Sequence, residues 1–259
     1  MATSITELDR IIEKTLSLSS TIDLDLSNQN LTEVPEALIK LKDNLTGLNL
    51  SDNNLTVIPS WLGSFTKLSM LNIKNNQVAD LTPVCTIEGL ITLVAVKNHI
   101  TSIPSNIVKL VNLRFLHLAG NNIEKLPTSI KKLPKLSVLD LRENQISVLQ
   151  NALFGDGFFK TLTALDLSFN HISELPPSFG KLRVRRLNLS NNQLETLPTS
   201  FGGNCSLTHL WIENNSLKNL PSTFKKLGNL MECYIGGNPN FTINWQLKDD
   251  MWRMCSFYE

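Results

Sequence analysis

Leu45-Thr-Gly-Leu48-Asn-Leu50-Ser-Asp-Asn53-Asn-Leu55-Thr-Val-Ile58-Pro59 is one copy of a pattern that the chain repeats along most of its length. Leu48 and Leu50 alternate with Gly47, Asn49 and Ser51, the period-two spacing of a strand with one buried face. Asn53 follows at a turn, and Ile58-Pro59 closes the unit. Other copies begin at Leu113, Leu162, Val184 and Leu207. The asparagine recurs at Asn53, Asn76, Asn98, Asn121, Asn144, Asn170, Asn192, Asn215 and Asn238, with Gln29 in the first copy. Successive gaps are 22 to 24 residues, except for 26 between Asn144 and Asn170. A period held over ten copies decides the architecture. Each strand is too short to be stable alone, so it pairs in parallel with the next, and the leucines stack into one core. A buried turn needs partners for its backbone N–H and C=O groups, and an amide side chain offers both a donor and an acceptor. The nine asparagines are therefore expected to form a structural ladder.

The return half of each copy has its own spacing. Pro59 to Phe65, Pro104 to Leu110, Pro127 to Leu133, Pro176 to Leu182 and Pro221 to Leu227 are each six apart, with an apolar slot between them such as Leu62, Ile107 or Phe179. Proline fixes the turn into this half and cannot serve an interior strand. The expectation is an α/β solenoid curved like a horseshoe, with a parallel β-sheet on the concave face and short helical or 3-10 turns on the convex face. About ten strands spaced by ~4.8 Å give an inner arc of very roughly 45 Å.

A terminal repeat exposes its core, so both ends need covers. Residues 1–20 read as an N-terminal capping helix, amphipathic over 4–16, with Ser4 as N-cap, Glu7 three residues on, and Ile5, Leu8, Ile11, Ile12 and Leu16 on one side. The solenoid spans 21–240. Residues 241–259 read as a C-terminal cap, with Trp245 to Phe257 expected to fold over the last repeat. The whole is expected to be one structural domain.

Composition narrows the function. A formal net charge of +1 on 259 residues argues against general attraction to nucleic acid. No secretory leader pattern precedes the repeats, and no apolar run is long enough to span a bilayer. Cys85, Cys205, Cys233 and Cys255 are scattered, unlike clustered disulfide caps. Together these point to the cytoplasm. No nucleotide loop, serine-hydrolase elbow or Cys-x-x-Cys pair occurs, and the four histidines have no metal-like spacing. Asp140 and Asp166 are expected to neighbour each other across strands as a solvated charge cluster beside Arg142. No catalytic residue, cofactor or metal is expected.

Function then falls to the surface. The central slot of successive strands reads Asp25, Asn49, Asn72, Val94, His117, Asp140, Asp166, Asn188, Trp211 and Tyr234. Two residues earlier, the slot reads Asp23, Gly47, Met70, Thr92, Phe115, Val138, Ala164, Arg186, His209 and Glu232. The first copies are small and polar, whereas the later ones carry aromatics and charges of both signs. Two partner-binding patches are expected on the concave face. Phe115, His117, Val138, Asp140, Arg142 and Phe169, with Asp166 beside them, lie on the middle strands. Arg185, Arg186, His209, Trp211 and Tyr234 lie toward the C-terminal end. Exposed aromatics mixed with arginine are the residue types that dominate protein interfaces. Lys181, Arg183, Arg185 and Arg186 form a dense basic cluster, suited either to gripping a phosphate or acidic loop or to balancing Asp166, Glu213 and Glu232. Trp61 is a second exposed-aromatic candidate on the convex side.

Departures from the pattern are expected to show. Gln150 replaces the proline and is followed by an insertion around Gly155 to Phe159. Leu81-Thr82-Pro83 suggests a shorter repeat, and Ala95 and Asn204 occupy leucine slots, predicting weaker packing.

Ile103-Pro104-Ser-Asn-Ile107-Val-Lys-Leu110 and Leu126-Pro127-Thr-Ser-Ile130-Lys-Lys-Leu133 resemble the 23-residue repeats of the Ras-group intracellular leucine-rich repeat proteins. The likeness covers roughly residues 21 to 240. It implies a scaffold for a protein partner, a small GTPase or a protein phosphatase catalytic subunit, without membrane insertion. Alternatives are a regulatory subunit or fragment whose catalytic part lies elsewhere, and a self-assembling structural protein.

Overall fold

The computed structural model describes residues 10, 12, 21–154, 160–242, 249 and 256–258. Eleven short strands run in parallel in one sheet, each hydrogen-bonded to the next in chain order. They are β1 (Ile22–Asp25), β2 (Leu45–Asn49), β3 (Met70–Asn72), β4 (Thr92–Val94), β5 (Phe115–His117), β6 (Val138–Asp140), β7 (Ala164–Asp166), β8 (Arg186–Asn188), β9 (His209–Trp211), β10 (Glu232–Tyr234) and β11 (Ser256–Tyr258). A 3-10 helix joins each successive pair from β1 to β10, giving the curved solenoid. The middle residue of each strand from β3 to β10, such as Leu71, Leu93 and Leu116, points inward, as do Ile22 and Leu24 of β1 and Leu45 and Leu48 of β2, and these stack with the apolar slots of the 3-10 turns into one continuous core.

The prolines explain the convex turns. Pro59, Pro104, Pro127, Pro176, Pro198 and Pro221 hold φ between −63° and −71° in an extended conformation just before each helix. Their carbonyls accept the N–H three residues on, as from Leu62 to Pro59 at 3.2 Å. Gln150 adopts the same geometry (φ −64°, ψ 134°), so the turn does not need the proline ring. Pro83 instead takes a helical ψ of −35° and starts a three-residue helix, Val84–Thr86, in the short repeat. From Phe154 onward the convex core is aromatic. Phe179, Phe201 and Phe224 stack nearly parallel at 6.3 and 6.0 Å, with Phe154 tilted 4.8 Å from Phe179. A Cβ on Gly180 would collide with the Ser200 carbonyl, so glycine is what lets these turns close up.

Each ladder asparagine is buried and fastens its repeat to the one before. Its Nδ2 donates to a carbonyl of the preceding repeat, and its Oδ1 accepts an N–H from that repeat. Asn121, for example, donates to the Ala95 and Leu118 carbonyls at 2.9 Å and accepts from Ile100 at 3.1 Å. The residue before it is left-handed in every repeat: Asn28, Asp52, Asn75, Lys97, Gly120, Glu143, Phe169, Asn191, Asn214 and Gly237 all have φ between 51° and 70°.

Some expectations are corrected and others fall outside the described residues. The C-terminal segment does not only cover the last repeat: residues 256–258 add an eleventh strand, pairing Glu232 with Ser256 and Tyr234 with Tyr258. The rest of Trp245 to Cys255 lies outside the described residues except Asp249. The predicted N-terminal helix lies outside them as well, apart from helical Arg10 and Ile12, the latter buried in the core. The insertion at 155–159 also lies outside them. Trp61 is not an exposed handle, since it is half-buried and packs on Phe65 at 5.9 Å between ring centroids. Ala95 is fully buried and its N–H donates to the His117 carbonyl at 2.8 Å, whereas Asn204 is buried with neither Oδ1 nor Nδ2 in a hydrogen bond.

Candidate functional site

The sheet register places the two rows of concave side chains. One row runs Asp23, Gly47, Met70, Thr92, Phe115, Val138, Ala164, Arg186, His209, Glu232 and Ser256, each paired with its neighbour across the strands. The other runs Asp25, Asn49, Asn72, Val94, His117, Asp140, Asp166, Asn188, Trp211, Tyr234 and Tyr258.

Most of the second row is tied to its own backbone. Asp25, Asn49, Asn72, Asp140, Asp166 and Asn188 each accept, through Oδ1, the N–H of the residue two further on, at 2.9 to 3.2 Å. This local bond is what Asp and Asn side chains do readily at the end of a strand. The Ser27 N–H holds the Asp25 carboxyl below the usual carboxylate range. Valine, histidine, tryptophan and tyrosine break the series at Val94, His117, Trp211 and Tyr234.

Asp140 and Asp166 are neighbours across β6 and β7. Asp140 is less solvated than the sequence suggested, with its side chain only 15% exposed. Its Oδ2 lies 3.8 Å from His117 Nδ1 and 3.7 Å from Arg142 Nε. Asp166 accepts from the Ser168 hydroxyl at 2.6 Å and from Asn188 Nδ2 at 3.3 Å. This is a charge network tethered to the turns, and among the described residues no group of histidine, cysteine and acid side chains is arranged to hold a metal. No helix among those residues is long and apolar enough to cross a membrane.

Toward the C-terminus the rings form a ladder. His209 stacks on Trp211 at 5.8 Å, Trp211 on Tyr234 at 6.0 Å, and Tyr234 on Tyr258 of β11 at 4.4 Å, with interplanar angles of 18°, 6° and 5°. Trp211 is only half-exposed as a result. The basic cluster divides. Arg183 is structural, donating through one guanidinium nitrogen to the carbonyls of Gly180, Leu182 and Gly203. Arg185 and Arg186 are exposed, and among the described residues their guanidiniums make no ion pair or hydrogen bond, so Asp166, Glu213 and Glu232 do not neutralise them.

The two patches read from the sequence are one surface. A hollow of about 300 Å³ is lined by His117, Val138, Asp140 and Asp166 from the middle strands and by Arg186 and Trp211 from the C-terminal ones. Ala164 joins them: its methyl group sits between Val138 and Arg186 in register and leaves the space open. A larger groove of about 770 Å³ continues past Arg186 along the N-terminal ends of the strands, with Thr163, Arg185, Thr208 and Met231 among its walls. Ala164 stands in the row read from the sequence but was not among the expected site residues, and Met231 and Tyr258 were not singled out. An alanine between Val138 and Arg186, with larger residues on either side in its row, was the available signal for the first.

Arg142 and Phe169 are not on strands. Arg142 stands two residues beyond β6, and Phe169 three residues beyond β7. Phe169 is 53% exposed and left-handed (φ 53°), a backbone conformation costly for a bulky side chain. Phe115 is half-buried on β5, with the Arg114 guanidinium carbon 5.9 Å from its ring centroid.

The model described as "Leucine rich repeat" matches residues 160–217, and "Leucine Rich repeats (2 copies)" matches 43–85 and 111–151, together more than half of the chain. The chain belongs to the leucine-rich repeat family. An internalin from Listeria monocytogenes superposes with a TM-score of 0.73 at 22% identity, covering 98% of this chain and 76% of that one, a likeness of fold alone. The plant intracellular Ras-group-related LRR protein 8 of Arabidopsis thaliana is 42% identical over 50 residues, 19% of this chain and 13% of its own. An adenylate cyclase of Podospora anserina is 30% identical over 176 residues, 67% of this chain and 7% of its own. The chain thus spans a small fraction of these curated relatives. Leucine-rich repeats commonly mediate protein–protein interaction and are typically non-catalytic.

Proposed function

We propose that this chain is a non-catalytic protein-binding module, an adaptor or regulator in cytoplasmic signalling, that holds its partner on the concave face from β5 to β10. The observation that carries this reading is the continuous surface around Ala164. There Trp211, stacked between His209 and Tyr234, lines an open hollow together with His117 and Arg186. Aromatic and arginine side chains in such a position are the residues most often found to dominate binding energy. The left-handed Phe169 adds to it, since strain retained at an exposed aromatic points to use. The short likeness to a plant intracellular Ras-group-related repeat protein supports an intracellular setting and a small GTPase as the kind of partner; a protein phosphatase catalytic subunit is the other partner that the resemblance of the repeats implies.

The second reading is a regulatory segment of a larger enzyme, favoured by the likeness to a 176-residue part of an adenylate cyclase. Affinity capture from lysate of the source cell, with wild type beside folded Arg186→Glu/Trp211→Ala, separates the outcomes. Proteins retained only by wild type support the concave face, and a GTPase or phosphatase among them supports the adaptor reading. Identical retention by both baits contradicts the concave site. Co-purification of a catalytic domain encoded with this chain favours the second reading.

A further inference from the structure

We infer that the groove beside Arg185 and Arg186 binds an acidic segment of the partner protein, with carboxylates paired to the two guanidiniums and an adjoining apolar side chain on the groove floor. This rests on the concave-face reading and adds the chemistry of what that face selects. The groove, about 770 Å³, has no carboxylate in its lining. Its apolar lining is Val138 and Ala164 on the strands and Met231 on the wall, the last 62% exposed. Thr163, Thr208 and Asn229 supply polar edges.

Arg185 and Arg186 stand over this floor unpaired, in contrast to Arg183, whose guanidinium is fixed on three carbonyls. An arginine presents its donors in a planar fork that matches a carboxylate, so two unpaired forks beside an acid-free groove are complementary to an acidic chain. His209, the remaining ionisable group in the lining, has Glu232, which is outside the lining, 3.9 Å from Nε2 and the Thr208 hydroxyl 2.9 Å from Nδ1.

The other side of Arg186 sets the direction. The smaller hollow there is lined by Asp140 and Asp166, which repel carboxylates. An acidic segment is thereby confined to the Met231 side and turned away from the middle strands, a repulsive element of the kind that makes specificity. Other polyanions fit less well. A lipid bilayer cannot reach into a concave sheet, and a nucleic-acid backbone would meet the Asp140/Asp166 hollow as well as the two arginines. A lone phosphate would leave the apolar floor unused.

Selection of random dodecapeptides displayed on phage against immobilised wild type, followed by fluorescence anisotropy of the enriched peptides, tests this. The expected result is enrichment of Asp or Glu beside Leu, Ile or Phe. Affinity should fall at least about tenfold, ~1.4 kcal/mol, with Arg185→Gln/Arg186→Gln. It should fall further with Arg185→Glu/Arg186→Glu and as salt is raised. Lys74→Glu, on a distant repeat, should leave it unchanged. Acidic peptides that bind wild type and both arginine variants equally would overturn the inference. Neutral or basic peptides that are blocked by Ala164→Trp would also overturn it, while leaving the concave face as the binding surface. Peptides indifferent to every variant would overturn both. Melting curves matching wild type confirm that the exposed arginine substitutions leave the fold intact.

Discussion

The concave face of β1 to β3 and that of β5 to β10 share one backbone and differ in what their side chains are free to do. In the first repeats the polar groups satisfy each other. Asn49 donates to Asp25 at 3.0 Å, Thr46 to Asp23 at 2.8 Å and Asn75 to Asp52 at 2.9 Å, while Asp25, Asn49 and Asn72 each cap the N–H two residues on. In the later repeats His117, Trp211 and Tyr234 stand in the same row, and Arg185 and Arg186 have no carboxylate partner. A polar surface whose hydrogen bonds are already made gains little from a partner. One holding open guanidiniums and half-exposed rings has interaction energy left to offer.

The frame beneath both regions should respond alike. Asn76→Ala and Asn192→Ala each remove a buried amide from several backbone bonds, and each should lower stability by roughly 3 kcal/mol or more. Chemical denaturation midpoints will show it. A large difference between the two would mean that the regions differ in their scaffold and not only in their surface.

The C-terminal half also carries departures from the fold's own preferences. Asn204 sits in a leucine slot with both amide atoms unpaired, so Asn204→Leu should raise stability by about 2 kcal/mol. Phe169→Asn should raise it by about 1 kcal/mol, because asparagine tolerates the left-handed backbone that phenylalanine resists. If Phe169 contacts the partner, the same variant should weaken capture. Gain of stability with unchanged capture would remove Phe169 from the site. The smallest effect is expected at the boundary between the two regions. Val94→Asn would give the Val96 N–H an acceptor like those in the first three repeats, adding roughly 0.5 to 1 kcal/mol. Thermal melts can resolve it against Asn72→Val, which should lose a similar amount.

The two rows could be read from the sequence because a 23-residue period and a strand's two-residue alternation together locate every outward side chain. The ladder asparagines were legible for the same reason. Other features lay below that period. The residue before each ladder asparagine is Asn, Asp or Gly in seven of ten repeats. Lys97, Glu143 and Phe169 conceal the left-handed requirement in the other three. Four repeats carry Asp or Asn followed two residues later by serine, as in Asp25 to Ser27 and Asn188 to Ser190, the trace of the capping bonds. What could not be read was the union of the two patches. It depends on the absence of side-chain volume at Ala164, and a sequence scan weighs what residues add rather than the space they leave. The eleventh strand was equally hidden, since residues 256–258 carry none of the repeat's leucine spacing.

The most direct test of the account is a steric block placed in the same row of side chains in each region. The capture bait is compared as wild type, Met70→Trp on β3 and Ala164→Trp on β7, with partner affinity measured by titration. The account predicts that Met70→Trp binds as wild type does, while Ala164→Trp fills the hollow and weakens binding by at least about tenfold. Equal affinity for all three, or loss only with Met70→Trp, would contradict it.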